Sequence, residues 1–298
     1  MQKIADGVWI ETTLRGVTVG AFETAEGFVL VDTPSFPADA NQWRMMLQEI
    51  ADLPIRAILL LDSHRDRILG ASWFQPELLI AHSESREAVV SLSNSYVSTI
   101  ANLLATNNAE QTSLLSGRIL KPTVTFSDRM RLYFGDVELQ LIHRPGPLQG
   151  TIWVYGAQQD VLFVGDSVMT GKPPYLSSPY SKAWIEALQS LDIEFPTSTL
   201  ISGRQGITER DAIPPLLQYL HLARERVQHL YETRRPHSET TRLIHELLGI
   251  YPPPLEFELE EIQQRVRTGL QFIYNEFRED DLGRFEEREQ VVAADDEE

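Results

Sequence analysis

The chain has 298 residues, of which 42% are hydrophobic and 23% are charged, a composition typical of a globular protein with a sizeable core. It contains no cysteine, which excludes disulfides, thiolate metal ligands and a cysteine nucleophile and favours a cytoplasmic location. The net charge of -17 argues against a nucleic acid partner, because phosphate binding normally requires a basic surface. No segment has the pattern of a secretion signal or the apolar length of a membrane span, so we expect no membrane association.

Short apolar segments between turns predict strands, and apolar residues at helical spacing predict helices. The predicted elements of the first part are strands at 8–12, 17–23 and 27–32, a helix at 38–50, strands at 55–61 and 78–81, a long helix at 83–106, and strands at 124–126, 130–134, 137–142, 151–155 and 161–164. A polar stretch precedes the strand at 124–126. Two strand-rich halves, each with helices attached, predict two sheets packed face to face with helices outside.

Beyond residue 207 the sequence predicts amphipathic helices at 211–232, 237–248 and 258–277, separated by prolines. Their apolar stripes could cover a pocket or form a homo-oligomer interface. Residues 279–298 contain 10 acidic and 2 basic residues and so carry 8 of the 17 net negative charges, which predicts a solvated, disordered tail. The predicted division is a main domain at 1–207, a helical extension at 208–277 and an acidic tail at 278–298.

Charged residues directly follow three apolar strands, at positions where a layered sheet commonly forms its sites. Asp62, His64 and Asp66 follow the first of these strands, Asp166 the second and Arg204 the third. The three residues after the first strand recur at every second position, so an extended segment would direct them the same way. A polar loop that caps the next helix would contain the same residue types, and the spacing alone favours that interpretation.

The order of motifs resembles the metallo-β-lactamase superfamily over the predicted main domain. Leu-Leu-Asp-Ser-His-Arg-Asp-Arg-Ile-Leu-Gly at 60–70 stands in the place of that family's Thr-x-His-x-His-x-Asp-His-x-x-Gly loop. Pro-Gly-Pro-Leu-Gln-Gly at 145–150 replaces Pro-Gly-His-Thr-x-Gly, and Leu-Phe-Val-Gly-Asp at 162–166 matches Leu-Phe-x-Gly-Asp. Gly-Arg-Gln-Gly at 203–206 replaces a closing Gly-His-Gly. The resemblance implies an α+β fold, a four-layer αββα sandwich, here with a C-terminal helical extension.

The same resemblance implies a degenerate metal site. The retained ligand positions are His64, Asp66 and Asp166, of which Asp166 corresponds to the carboxylate that bridges two metals in the family. The positions at which the family has histidines are occupied by Asp62, Arg67, Pro147 and Arg204. Proline has no side-chain ligand atom and arginine stays protonated, so the resemblance predicts that dinuclear zinc is excluded.

Two interpretations of the remaining site are open. The set that remains for a metal is Asp62, His64, Asp66 and Asp166. This oxygen-rich set suits one Mn²⁺, Fe²⁺ or Mg²⁺ ion better than Zn²⁺. Alternatively no metal binds, because crowded carboxylates need compensation that two guanidiniums supply. We therefore expect Arg67 and Arg204 to pair with the three aspartates in place of a cation.

These interpretations lead to different functions. In the first hypothesis the protein is non-catalytic or weakly active and binds a small anionic molecule or a protein partner, with Arg67, Arg144, Pro147 and Arg204 in the pocket. In the alternative it is a mononuclear metal-dependent hydrolase of an ester, lactone, thioester or phosphoester, in which Asp66 acts as the base for a metal-bound water. The sequence does not name the substrate.

Overall fold

The computed structural model describes residues 1–93, 95–252 and 258–295, with side chains in the last range described up to residue 281. Within these ranges the chain forms two mixed sheets. In spatial order, the first sheet consists of β1 (Gln2–Ala5), β2 (Val8–Glu11), β3 (Val19–Thr24), β4 (Gly27–Val31), β5 (Ile55–Leu59), β6 (Leu78–His82) and β7 (Val124–Phe126). The second consists of β8 (Arg129–Phe134), β9 (Val137–His143), β10 (Ile152–Gly156), β11 (Val161–Gly165), β12 (Thr199–Ser202) and β13 (Gly206–Thr208).

Each sheet combines an antiparallel part with a parallel part. In the first sheet β1 to β4 are antiparallel neighbours, whereas β4 to β7 run parallel. In the second sheet β8 to β11 are antiparallel, and β12 is parallel to β11. A crossover connection leads from β4 to β5 and another from β11 to β12, so each pair of strands is parallel. The polar loops that the sequence predicts to form a site lie at the carboxyl ends of β5, β11 and β12.

Helices cover the outer faces of the two sheets. The α-helices are α1 (Pro37–Ile50), α2 (Arg65–Ile68), α3 (Ser83–Ser91), α4 (Tyr96–Leu104), α5 (Asn108–Leu115), α6 (Ser181–Glu194), α7 (Ile213–Glu232), α8 (Ile244–Ile250) and α9 (Leu259–Asp295). Short 3-10 helices lie at Gly70–Trp73, Arg210–Ala212 and His237–Leu243. Among the helices of the described ranges, none combines the length with the apolar character that crossing a bilayer requires.

The layers explain why β5 ends in three consecutive apolar residues, Ala57, Ile58 and Leu59. Ala57 and Leu59 pack between the two sheets, in a cluster that includes Phe163 of the second sheet. Ile58 points to the other side and packs in the cluster that contains Trp43 of α1. A strand buried on both faces needs apolar side chains at consecutive positions rather than at alternate ones. The predicted four-layer αββα sandwich is confirmed.

The prediction of one long helix at 83–106 is wrong in its middle. The chain leaves the helix between α3 and α4, where the hydroxyls of Ser93 and Ser95 lie 2.9 Å apart and hydrogen-bond to each other. Serine side chains that bond locally compete with the helical backbone pattern. The polar stretch after α4, in which no element was predicted, forms α5. Asn107 caps this helix, because its side-chain oxygen accepts a hydrogen bond from the Glu110 N–H at 3.0 Å.

The predicted C-terminal helices correspond to α7, to the 3-10 helix at His237–Leu243 together with α8, and to α9. The domain boundary predicted at residue 207 falls inside β13, which is still paired with β12. The start of the predicted acidic tail, residue 278, falls inside α9. The three-part division stays a prediction. The disorder predicted for the tail also stays a prediction, since the side chains after residue 281 lie outside the described residues.

Candidate functional site

The polar residues singled out by the sequence meet where β5, β11 and β12 end. Asp62 follows β5 after two leucines, Asp166 follows Gly165 at the end of β11, and Arg204 follows Gly203 after β12. Gly203 is required by close packing, because a Cβ atom there would lie 2.4 Å from Arg67 Nη2 and 2.7 Å from Asp166 Oδ1. The backbone of the second sheet therefore lies directly against side chains of the site.

Arg67 is the centre of this cluster and is completely buried. Its guanidinium contacts three carboxylates: Nε lies 2.9 Å from Asp32 Oδ2, Nη1 lies 2.7 Å from Asp62 Oδ2, and Nη2 lies 2.6 Å from Asp166 Oδ1. Asp32 and Asp62 follow strands of the first sheet, whereas Asp166 follows a strand of the second. One planar guanidinium thus joins the two sheets, through hydrogen bonds to Asp62 and Asp166 and an ion pair with Asp32.

Arg204 makes a second bridge in the opposite direction. From the second sheet, its Nη1 donates to Asp66 Oδ2 at 2.6 Å and to the Gly16 carbonyl at 2.7 Å. Its Nε and Nη2 lie 3.0 and 2.8 Å from Asp166 Oδ2. Arg67 and Arg204 therefore pair with the three predicted aspartates, and both oxygens of Asp166 are bound to guanidinium.

His64 lies beside this cluster. Among the described residues, Asp62, His64 and Asp166 form a group whose possible ligand atoms all lie within 4.8 Å of one another. His64 Nδ1 is buried without a hydrogen-bond partner and lies 3.8 Å from Asp166 Oδ2. Asp66 is not part of this group, because the chain turns into α2 at Arg65 instead of continuing as an extended segment.

A cavity of about 400 Å³ opens over the cluster. Its lining residues in the first sheet's loops and in α4 are His64, Arg65, Asp66, Leu103 and Leu104. Those of the second sheet's loops are Pro147, Asp166, Met169, Lys172, Pro173, Tyr175 and Arg204, and those of α9 are Glu261 and Arg265. The C-terminal extension therefore completes the wall of the cavity.

A buried carboxylate fixes α9 in this position. Glu276 accepts hydrogen bonds from the Ser181 N–H at 3.0 Å and from the Lys182 N–H at 3.0 Å, both in the first turn of α6. It also accepts from the Ser181 hydroxyl and pairs with Arg224 of α7 at 2.8 Å. An anionic side chain at a helix N-terminus satisfies amides that have no partner inside the helix. Glu276 thus links α9 to both α6 and α7.

Comparison with known proteins now gives the family. A sequence model of the metallo-beta-lactamase superfamily matches residues 12–204, which is more than half of the chain. The chain belongs to the metallo-beta-lactamase superfamily. No protein among the curated ones matches it.

Solved structures of the superfamily share the fold. The metallo-beta-lactamase family protein TTHA1429 from Thermus thermophilus is 16% identical, with a TM-score of 0.65 over 94% of this chain and 95% of that chain. The metallo-beta-lactamase from Pontibacter korlensis is 20% identical, with a TM-score of 0.56 over 74% of this chain and 97% of that chain. The sec-alkylsulfatase Pisa1 from Pseudomonas sp. is 16% identical, with a TM-score of 0.66 over 91% of this chain and 49% of that chain. At these identities the likeness concerns the fold alone.

The residues present do not fit the metal centre that the superfamily implies. Asp62 Oδ1 accepts the His64 N–H at 2.8 Å and Asp62 Oδ2 binds Arg67, while both oxygens of Asp166 bind Arg67 and Arg204. A cation at this place would have to displace a guanidinium and lie beside the second one, which repels it. What remains of the superfamily's site is a partial group of two carboxylates and one imidazole.

The charges of the cluster explain its pKa shifts. Four carboxylates surround two guanidiniums, so two negative charges are in excess. Burial, aided by the charge of Asp62, raises the pKa of Asp32 to about 7 although Arg67 acts to lower it. Burial would also raise the pKa of Asp66 and of Asp166, but the arginine charges outweigh it and hold both pKa values below their usual range. Asp32 therefore takes up a proton more readily than Asp66 or Asp166, which relieves part of the excess.

The predicted pocket arginines occupy three different places. Arg204 lines the cavity, whereas Arg67 lies wholly buried behind Asp166. Arg144 does not line the cavity in the described part of the chain, because its Nη2 pairs with Glu194 Oε1 at 2.5 Å at the end of α6. Pro147 lies at the cavity wall.

The cavity also has cationic residues that sequence reasoning missed. Lys172 lies in the proline-containing loop between β11 and α6. Arg265 lies on α9, far from every motif in the sequence. Its helical spacing four residues after Glu261, with which it pairs at 2.6 Å, predicts only a surface ion pair. Only the fold brings this pair to the site.

Proposed function

We propose that this chain is a metal-free member of the superfamily whose cavity binds a small molecule with an anionic group and does not hydrolyse it. The observation that carries the proposal is the buried guanidinium of Arg67, bound to both Asp62 and Asp166. These contacts place a fixed positive charge between the carboxylates that remain from the superfamily's metal site. Arginine has no free lone pair and a permanent charge, so it stabilises the carboxylates without activating water.

The remaining groups support the absence of hydrolysis. Metal-assisted hydrolysis depends on a cation that lowers the pKa of a bound water. The base predicted for that reaction, Asp66, is held by Arg204 in an ion pair of 2.6 Å, which lowers the pKa of its carboxyl. A carboxylate with a lowered pKa is a weaker base than an ordinary one, so neither a metal nor an effective base supports the reaction.

The charges at the outer part of the cavity favour an anion. The lining residues carry four cationic side chains and three carboxylates, namely Arg65, Lys172, Arg204 and Arg265 against Asp66, Asp166 and Glu261. The lining as a whole therefore has one positive charge in excess. Burial, together with the charges of Arg204 and Arg265, lowers the pKa of Lys172. Burial disfavours a charge of either sign, whereas the two nearby arginine charges disfavour a cation and favour a bound anion.

The first test is the metal content per chain. Protein is incubated separately with Mn²⁺, Fe²⁺, Mg²⁺ and Zn²⁺, freed of unbound ions by gel filtration and measured by plasma mass spectrometry. We expect no stoichiometric ion in the wild type. The double variant Arg67→His with Arg204→His restores imidazole where the superfamily has it, and we expect this variant to retain about one ion per chain.

A different result would support the alternative function. The unpartnered Nδ1 of His64, within 4.8 Å of Asp62 and Asp166 ligand atoms, favours a mononuclear hydrolase as the second candidate. If the wild type held about one ion per chain and Asp166→Ala removed it, the metal-free proposal would fail. The esters and phosphoesters of the alternative would then be the substrates to assay.

Anion binding is tested separately, by isothermal titration calorimetry with acetate and inorganic phosphate. We expect Arg265→Gln to weaken binding, because it removes one of the cationic groups at the cavity. Arg267→Gln is the matched control, since Arg267 lies on the same helix but bonds Gln264 outside the cavity lining. If neither acetate nor phosphate binds, the proposal is contradicted.

A further inference from the structure

The cavity lining combines cationic groups with apolar side chains. The cationic groups come from α9 and from the loop after β11, namely Arg265 and Lys172. Apolar side chains come mainly from the end of α4, where Leu103 and Leu104 reach the cavity, and from Met169. Because both kinds of group line the same cavity, one ligand could contact both at once.

Leu103 stands out among the apolar residues. It is 55% exposed, although its neighbours in the cavity include Met169, which is only 5% exposed. Single exposed leucines are common on protein surfaces and need no explanation. Here, however, the leucine lines a concave space of about 400 Å³, which falls in the range of small-molecule sites. A ligand in that space would cover apolar surface that is now in contact with water.

The fixed charges limit the charge of such a ligand. Arg265 uses Nη2 for its ion pair with Glu261, and a guanidinium has further N–H donors in the same plane. Asp66 and Asp166 also line the cavity, and their negative charges, although paired, disfavour a second negative charge nearby. A ligand with one negative charge satisfies both conditions better than a phosphate dianion.

We infer that the cavity binds an amphiphilic monoanion, a carboxylic acid with a short aliphatic chain. Its carboxylate is bound by Lys172 and Arg265, and its chain packs on Leu103, Leu104 and Met169. This inference rests on the proposed function, because it specifies the ligand class of the same anion-binding cavity.

The test is a series of carboxylates of increasing length, from acetate through butanoate and hexanoate to octanoate, titrated by calorimetry. Each methylene that becomes buried is expected to tighten binding by about fourfold. Octan-1-ol and octylammonium share the chain but lack the negative charge, and we expect both to bind more weakly than octanoate. Binding of the alcohol or the ammonium ion as tightly as octanoate would overturn the inference.

Two pairs of variants locate the binding site. Leu103→Asn removes an apolar contact in the cavity, so the gain in affinity from acetate to octanoate should shrink while acetate binding stays unchanged. Leu115→Asn is the control, because Leu115 on α5 is similarly exposed, at 45%, and does not line the cavity. Arg265→Gln should weaken acetate and octanoate binding by the same factor, whereas Arg267→Gln should weaken neither.

The outcomes separate this inference from the proposed function. If acetate and phosphate bind but affinity does not rise with chain length, the amphiphile is overturned and the anion-binding function stands. If no anion of any length binds, both fail. If octanoate binds but neither Leu103→Asn nor Arg265→Gln changes its affinity, the acid binds elsewhere and the inference is overturned.

Discussion

Two buried ionic clusters hold this molecule together, and their charges are arranged in opposite ways. At the edge of the sheets one guanidinium, that of Arg67, forms ion pairs with three carboxylates. At the junction of α6, α7 and α9 one carboxylate, that of Glu276, accepts hydrogen bonds from the first turn of α6 and pairs with Arg224. The first cluster has an excess of negative charge, whereas the second has one charge of each sign and otherwise neutral donors.

The difference bears on the proposal that arginine takes the place of a metal in this chain. A metal site brings several acidic ligands together and needs a concentrated positive charge to balance them. Arg67 lies among the carboxylates that such a site would use, so loss of its charge leaves them buried and mutually repelling. At the junction Glu276 pairs with one arginine and with neutral donors, so its charge can be lost at a smaller cost. The comparison therefore predicts unequal effects of removing the two central residues.

The largest effect is expected from Arg67→Met. The variant leaves the carboxylates of Asp32, Asp62 and Asp166 buried without their shared partner, at a cost of about 3–5 kcal/mol in the free energy of unfolding. Urea unfolding followed by circular dichroism measures this cost. The control is Arg65→Met, which removes an arginine only two residues away that lines the cavity. Equal loss in the two variants would contradict a special role of the buried guanidinium.

A smaller effect is expected from Glu276→Gln. The amide keeps the size of the side chain but loses the charge that pairs with Arg224, and charged hydrogen bonds are each worth about 1.5–3 kcal/mol. The expected loss in the free energy of unfolding is therefore below that of Arg67→Met. Glu279→Gln, at an exposed position of the same helix, should change stability little. A loss at Glu276 that exceeds the loss at Arg67 would reverse the proposed ranking of the two clusters.

The two clusters also differ in how far the sequence reveals them. The strand that ends in the Leu-Phe-Val-Gly-Asp motif at 162–166 and the substitutions at Arg67 and Arg204 indicate a site with arginine in place of a metal. The pairing follows from charge alone, because crowded carboxylates require nearby cations. The junction at Glu276 has no such signal, since one glutamate on an amphipathic helix looks like any solvent-exposed acid until the fold brings α6 against it.

Local geometry accounts for the other differences between sequence and structure. Asp66 was expected beside Asp62 and His64 because an alternating pattern assumes an extended chain. The chain instead turns into α2 after His64, which directs Asp66 to Arg204. The contact of Arg144 with Glu194 depends on how α6 packs, which short-range patterns do not contain. The layered fold was predictable because burial of whole strands sets the pattern of many residues at once.

Per pH unit, the change in stability with pH is the smallest effect expected from the comparison. Burial among carboxylates raises the pKa of Asp32 to about 7, far above that of an aspartate in the unfolded chain. Between these two values the folded state binds more protons than the unfolded state, so stability falls as the pH rises from about 4 to about 7. The slope from one group is at most about 1.4 kcal/mol per pH unit.

Urea unfolding at several pH values between about 4 and about 8 measures this slope, and variants assign it to one cluster. Asp32→Asn has no carboxyl to protonate at that position, so its stability should vary less with pH than that of the wild type over the same range. Glu276→Gln should keep the wild-type slope at a lower overall stability, because it leaves the cluster around Arg67 intact. If Asp32→Asn and the wild type showed the same slope, the raised pKa would not belong to Asp32. A flattened slope in Glu276→Gln would place a pH-sensitive group at the junction instead, and the contrast between the two clusters would fail.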